Sequence, residues 1–381
     1  MRVIAQNKFP YWLYAIYFMF GIYEHWINGV YGSITKYYYL FFLFYLVLKA
    51  KTFKLNSALY ALIVWILFSC LSLLWSDNVG HAMISLNTMV MMTGILIFIS
   101  QKKFRFDGEC LMKIIDHVFY ISSFLVFLGL FFSQTISDYN ETRYILYLFG
   151  LYIDPNNLLV FYFISFSIGM YNIFYTSRNK YVSLIFSLCS FYLILMTGSR
   201  SGIVGLFLVF SILLWGKRNI FTLSQKIGFL LSILFLIVCL YTFAEYVLPA
   251  AVFDRLSGKG DMEFTDSTGR SEMWMYSINK FLNTSPIFGL GFGEIASHST
   301  FVTVLVSIGL LIYPVFLYFI FAIFYKVIKQ NNVLALMLLT IPVMQAFFID
   351  ALNKRFFWNA FVLAILLSHC LDGTFNISKK K

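Results

Sequence analysis

A chain of 381 residues that is 60% hydrophobic, 20% aromatic and 12% charged is not a soluble globule, because soluble domains carry about 25% charged residues. Its uncharged runs, such as 57–74, 81–99 and 301–324, approach or exceed the roughly 20 residues a helix needs to cross a bilayer core, and they lack the in–out alternation of a membrane β-barrel. The formal net charge of +11 then reports membrane orientation rather than nucleic-acid binding.

The fold expected is all-α: a single polytopic membrane domain over 1–381 with about 12 transmembrane helices. Their predicted cores are 11–27, 37–48, 57–74, 81–99, 111–132, 157–175, 181–195, 201–215, 227–246, 300–325, 332–348 and 356–371. The first run passes into Glu24-His25 without a small-residue cleavage site and reads as a span rather than a signal peptide. Cys70, Cys110, Cys189, Cys239 and Cys370 lie in or beside apolar runs without metal-ligand spacing, and read as small core residues.

Alternate loops differ in charge. One set holds nineteen of the 28 basic residues, among them Lys49, Lys51, Lys102, Lys103, Lys217 and Lys379 to Lys381. The positive-inside rule makes that set cytoplasmic, so both termini lie inside and a large loop over 247–299, between the ninth and tenth spans, faces out. The inner set has fifteen lysines and four arginines. The outer set has four lysines and five arginines: Arg143, Arg200, Arg255, Arg270 and Arg355. Either cation fixes topology, but only arginine offers a planar fork for two phosphate oxygens. The imbalance points to an outward-facing phosphate site.

Four segments carry the candidate chemistry. Asp154-Pro155-Asn156-Asn157 opens the sixth span, where capping alone accounts for Asp-Pro. Thr197-Gly198-Ser199-Arg200-Ser201-Gly202 opens the eighth, with Arg200 as the one charge between Tyr181 and Trp215. It is either an interfacial anchor or a phosphate clamp at a helix N-terminus. Asp266-Ser267-Thr268-Gly269-Arg270 precedes an amphipathic stretch, 271–282, expected to lie as a helix over the membrane domain. Arg270 then falls in a first turn that favours an anion. Ser285 to Gly293 carries three glycines at alternate positions, and His298 follows. The glycines read as a tight hinged loop more readily than as a phosphate cradle, for want of a strand before them. A histidine titrates near neutral pH and suits general-base work. His25 and His81 also sit near outer boundaries, and Glu24, Glu245 and Asp254 are outer acids able to position such groups. No cluster with metal-ligand spacing is evident, and no P-loop.

In this order, the Thr197–Gly202 segment, Gly269-Arg270 with a Trp four residues later, Pro286 to Gly293 and His298 resemble the O-antigen ligase and polymerase superfamily, which includes Wzy-type polysaccharide polymerases. Asp154 to Asn157 resembles a further recurrent segment. The resemblance implies a multi-pass enzyme of the bacterial plasma membrane, active on its outer face, that takes glycan from undecaprenyl diphosphate without metal or cofactor. It assigns diphosphate binding to Arg200 and Arg270, with Arg255 beside them, and catalysis to His298. Arg355, Asp154 and Asn156 are supporting. The residue after the family's histidine is commonly Asn, and here it is Ser299.

The resemblance implies as partners the lipid-linked oligosaccharide, the bilayer, and a chain-length regulator and flippase of the same pathway, with no nucleic acid. A modest loop and a Phe/Tyr/Ile/Lys-rich composition, as in capsule-forming Gram-positive bacteria without lipid A, favour a repeat-unit polymerase. The alternatives are an O-antigen ligase and, in another class, a lipid-linked oligosaccharide flippase. A transporter tends to carry mid-span charges and internal repeats. Here charge collects at the outer mouth and the two halves show no clear repeat.

Overall fold

The computed structural model describes residues 11–50, 53–101, 108–138, 141–176, 178–218, 270–295 and 297–370, with isolated positions between 222 and 253. Twelve α-helices lie among them: α1 (Tyr11–Tyr31), α2 (Ile34–Lys49), α3 (Ser57–Leu71), α4 (Val79–Ile99), α5 (Gly108–Phe132), α6 (Pro155–Tyr175), α7 (Lys180–Met196), α8 (Arg200–Gly216), α9 (Arg270–Thr284), α10 (Thr300–Lys329), α11 (Val333–Gln345) and α12 (Arg355–Cys370). Eleven of the expected spans coincide with a helix. The ninth, 227–246, falls almost wholly outside the described residues, and α9 is the amphipathic helix of the long loop. Among the described residues, five helical stretches are long and apolar enough to cross a membrane by length and composition: Ser57–Trp75, Ala82–Ile99, Gly108–Phe132, Pro155–Tyr175 and Thr300–Lys329. The chain is a helical membrane protein.

Helix starts follow local chemistry. The Asn56 side chain accepts from Leu59 N at 2.9 Å and that of Asn332 from Ala335 N at 3.1 Å, each satisfying an N–H that the first turn leaves without a partner. Asp154 does the same for Asn156 N at 2.8 Å, with Pro155 in the first turn, where its missing N–H costs nothing. The bundle closes around large aromatic side chains. Trp65 of α3 is fully buried, 4.6 Å from Phe316 of α10 and stacked at 5.9 Å on Trp358 of α12. These contacts draw early and late helices into one core.

Two features depart from the expected pattern. The segment between α5 and α6, left between two spans in the all-α expectation, forms a three-stranded antiparallel sheet of β1 (Ser133–Asp138), β2 (Glu141–Leu148) and β3 (Leu151–Tyr152). Ser133 pairs with Leu146 and Leu148 with Leu151, and the tight turn between β2 and β3 places both Phe149 and Gly150 at positive φ. The all-α expectation missed it, although Thr142 to Leu148 is rich in aromatic and branched residues.

The second departure is inside α10, expected to be continuous. Gly309 adopts φ 73°, ψ 175° and breaks the helix. The backbone groups freed there are taken up by the glycine-rich segment before it. Leu290 N donates to Val306 O at 2.8 Å and Gly291 N to Ser307 O at 3.1 Å, while Leu310 N and Leu311 N donate to Pro286 O and Ile287 O. Irregular backbone at membrane depth is tolerated only where protein satisfies it. A side chain on Gly289 would fall on the Ser307 carbonyl, and one on Gly309 on that of Ile287.

Candidate functional site

The helix-start segments singled out in the sequence converge through hydrogen bonds at one end of the bundle. Ser199 stands at the N-cap position of α8 without a side-chain cap, and its hydroxyl instead donates to Asn156 Oδ1 at 2.9 Å while sharing a 2.7 Å hydrogen bond with Ser201. Gln345, at the end of α11, donates to Asn156 O at 3.1 Å. A few residues on, Ala346 O and Ile349 O accept from Thr300 N, and Thr300 Oγ1 accepts from Ala351 N at 2.8 Å. The starts of α6, α8, α10 and α12 are thereby gathered around the end of α11. Four helix N-termini at one place turn positive dipole ends to the same compartment, a setting that favours an anion.

Arg200 is the first residue of α8 and is half-buried. Gly198 before it takes φ 62°, the left-handed turn that lets α7 end and α8 begin within three residues. Arg270 is the first residue of α9, also half-buried. Helix α9 is fastened at two points. Trp274 Nε1 donates to Ser297 O at 2.7 Å, and Phe281 packs with Leu290 and Val306 in a small separate cluster. Lys280 pairs with Glu294 at 2.9 Å, and this hydrogen bond holds the ammonium pKa above its usual value.

His298 sits between two buried residues, Ser297 and Ser299, and is itself exposed. Its φ is 52°, a conformation in which histidine is found more often than most side chains but which still carries strain. The flanks hold it there: Ser297 Oγ donates to Ser299 O at 2.9 Å and lies 2.9 Å from Thr303 Oγ1. Ser299 is the N-cap of α10, accepting from Val302 N. Asparagine caps as well as serine, which accounts physically for Ser299 at a position where the resembling family commonly carries Asn. Trp274 thus joins the helix that begins with Arg270 to the turn that bears His298.

The supporting residues differ in their surroundings. Asp154 is exposed and Asn156 buried. Arg355 is 2% exposed and forms an ion pair with Glu24 of α1; its Nη1 donates to Thr35 Oγ1 at 2.9 Å and its guanidinium lies 4.5 Å above the Tyr39 ring. Tyr39 and Asn359 extend this network to Tyr17, whose hydroxyl donates to Asn359 Oδ1 at 2.6 Å. Sequence reading named Glu24 only as an outer acid and missed the network, because its members are spread over 342 positions. Arg255, Asp254, Glu245 and the His81 side chain lie outside the described residues. The N–H groups of Gly289, Leu290, Gly291 and Phe292 are all spent within the protein, the last on Ser72 Oγ at 3.0 Å. The glycine segment is a backbone splice, and these four N–H groups are taken up in it rather than in cradling a phosphate.

Residues 185–317 match the profile of the O-antigen ligase family, Wzy_C. Over that stretch the chain is similar to the O-antigen ligase family, which supports a place in the O-antigen ligase/polymerase superfamily. The match takes in Arg200, the glycine splice and the Arg270 and His298 positions, and leaves out Asp154, Asn156 and Arg355. Members of this superfamily are glycosyltransferase-like enzymes. The match supports a ligase or polymerase type of function and lends nothing to a flippase. None of the curated proteins compared with the chain matches it.

Proposed function

We propose that the protein is a polysaccharide repeat-unit polymerase of the bacterial plasma membrane. It transfers glycan from undecaprenyl diphosphate to the terminal sugar of a lipid-linked repeat unit. The observation that carries this reading is the Trp274–Ser297 hydrogen bond, which ties the Arg270 helix to the His298 turn at the bundle end where Arg200 begins α8. Lysine-rich loops at the opposite end support an outward orientation for this one, on the side where sugar nucleotides are absent.

An acceptor hydroxyl oxygen attacks the anomeric carbon as the bond from that carbon to the diphosphate oxygen breaks. His298 takes the hydroxyl proton, and the electron pair leaves on undecaprenyl diphosphate. Arg200 and Arg270, with Arg255 as a further diphosphate ligand expected from the sequence, stabilise the charge that builds on the leaving oxygen. Diphosphate is already a good leaving group, so no metal is needed. Asp154, Asn156 and Arg355 support the site through the frame around it. A ligase would use the same donor chemistry with a different acceptor. Gene deletion followed by gel analysis of glycans separates the readings. Single lipid-linked repeats accumulating without polymer support a polymerase, polymer left on its carrier a ligase, and repeats trapped inside a flippase.

A further inference from the structure

A cavity of about 940 Å³ lies apart from the arginines and histidine assigned to the donor: neither Arg200, Arg270 nor His298 lines it. It is walled by the second half of α1 and the start of α2, by α4, and by the starts of α6 and α12. Three observations describe what it suits. Lys36 and Lys354 stand on its lining, where Arg355 is already matched by Glu24. Leu40 of α2 and Met83, Ile84 and Val90 of α4 line the cavity and are at the same time half or more exposed, at 51%, 55%, 61% and 50%. The chamber therefore opens through an apolar flank between α2 and α4. Lastly, Asn157 Oδ1 and Asn353 Oδ1, both on lining residues, are buried and have no hydrogen-bond donor among the described residues.

Each observation selects a different part of one molecule. An orphaned carbonyl oxygen needs a donor, which a sugar hydroxyl supplies and an ionised phosphate does not. Lysines suit a phosphate as point charges. An apolar flank suits a hydrocarbon chain. We propose that the chamber is a second lipid-carrier site, which seats the acceptor as a glycan linked by diphosphate to a polyprenyl chain. The sugar faces Asn157 and Asn353, the diphosphate lies at Lys36 and Lys354, and the chain leaves over Leu40 and Ile84. This rests on the polymerase reading, because a polymerase holds two lipid-linked substrates at once. Asn157 then links the two sites: it follows Asn156, which is bonded to Ser199 beside Arg200.

The test uses the full chain in nanodiscs, with undecaprenyl diphosphate as probe and native mass spectrometry to count bound lipid. Wild type is expected to hold two. Arg270→Ala and Met83→Trp, which fills the chamber, are expected to hold one each, and their combination none. Lys36→Glu, an exposed charge reversal that leaves packing alone, is expected to lose the same lipid as Met83→Trp. Loss of all lipid in Arg270→Ala alone, or retention of two in both chamber variants, overturns the proposal. So does displacement of the chamber lipid by inorganic diphosphate, which makes the site a phosphate site only. In chain-growth assays the chamber variants are expected to raise acceptor KM about tenfold, with kcat within about threefold. If Arg270→Ala alone stops chain growth and the chamber variants leave KM unchanged, the chamber fails and the polymerase reading stands. If Arg270→Ala sustains normal growth, that reading fails, whatever the lipid count.

Discussion

The Ser199 hydroxyl donates to the side-chain oxygen of Asn156 at 2.9 Å, joining two helix starts 43 residues apart, and Gln345 holds the Asn156 carbonyl from a third helix. Both side chains are 7% exposed, so the cost of losing one partner is the desolvation of the other, about 1–3 kcal/mol. Ser199→Ala leaves Asn156 Oδ1 without its donor and loosens the α8 start on which Arg200 stands. The expected result is a kcat reduced about tenfold or more with the donor KM little changed. The check is steady-state chain growth with lipid-linked substrate. A Ser199→Ala enzyme with wild-type kcat would show that the bond does not position Arg200.

Arg200→Ala, Arg270→Ala and His298→Ala are each expected to abolish polymer while the protein remains in the membrane. Removing one group that stabilises developing charge costs about a hundredfold to a thousandfold in rate. Lysine at either arginine retains charge but not the two-pronged geometry, so Arg270→Lys should recover only part of the activity. Chelation by EDTA should leave purified activity intact. Normal polymer in all three alanine variants would remove these residues from the site.

What the sequence made legible was local. Span positions, the helix at Arg270 and the Asp154 cap follow from periodicity and from residues within a few positions of one another. The sheet at Ser133–Tyr152 was hidden because its short strands, set between two long apolar runs, carry weak alternation, and strand preference depends on neighbours that the sequence does not order. The break at Gly309 was hidden for a different reason. One glycine inside an apolar run is common, and only the splice with Pro286 to Gly291 distinguishes it. Glu24 and Arg355 were each visible as outer charges, but their pairing joins the first helix to the last, and no local rule encodes that.

The splice gives a sharp prediction about glycine. Gly291 has φ 96°, and a side chain there would meet Ser76 Cα at 2.8 Å and Ser72 O at 3.0 Å. Both neighbours are backbone and hold Phe292 through the Ser72 and Ser76 hydroxyls, so neither can move aside cheaply. Gly291→Ala is expected to cost more than the roughly 1 kcal/mol of ordinary backbone strain. It should lower the yield of folded protein in detergent. Gly32, with φ 70° and open space around it, is the control: its alanine variant carries the strain without the clash. Equal thermal stability of the two variants would show that the close approach does not matter.

Arg355 and Glu24 supply the last prediction. Arg355 is nearly wholly buried and has Glu24 as its counter-charge, with Thr35 Oγ1 and the Tyr39 ring also against its guanidinium. Removing one partner of a buried ion pair leaves a charge with no compensation and costs about 3–5 kcal/mol, whereas removing both costs far less than the sum. Arg355→Ala and Glu24→Ala should each lower the unfolding midpoint in detergent, and the double variant should lie well above the level that additivity requires. Three midpoints and the wild type complete the cycle. Strict additivity would mean that α1 and α12 are held by packing alone, and that the charges at the chamber wall are free to serve a ligand.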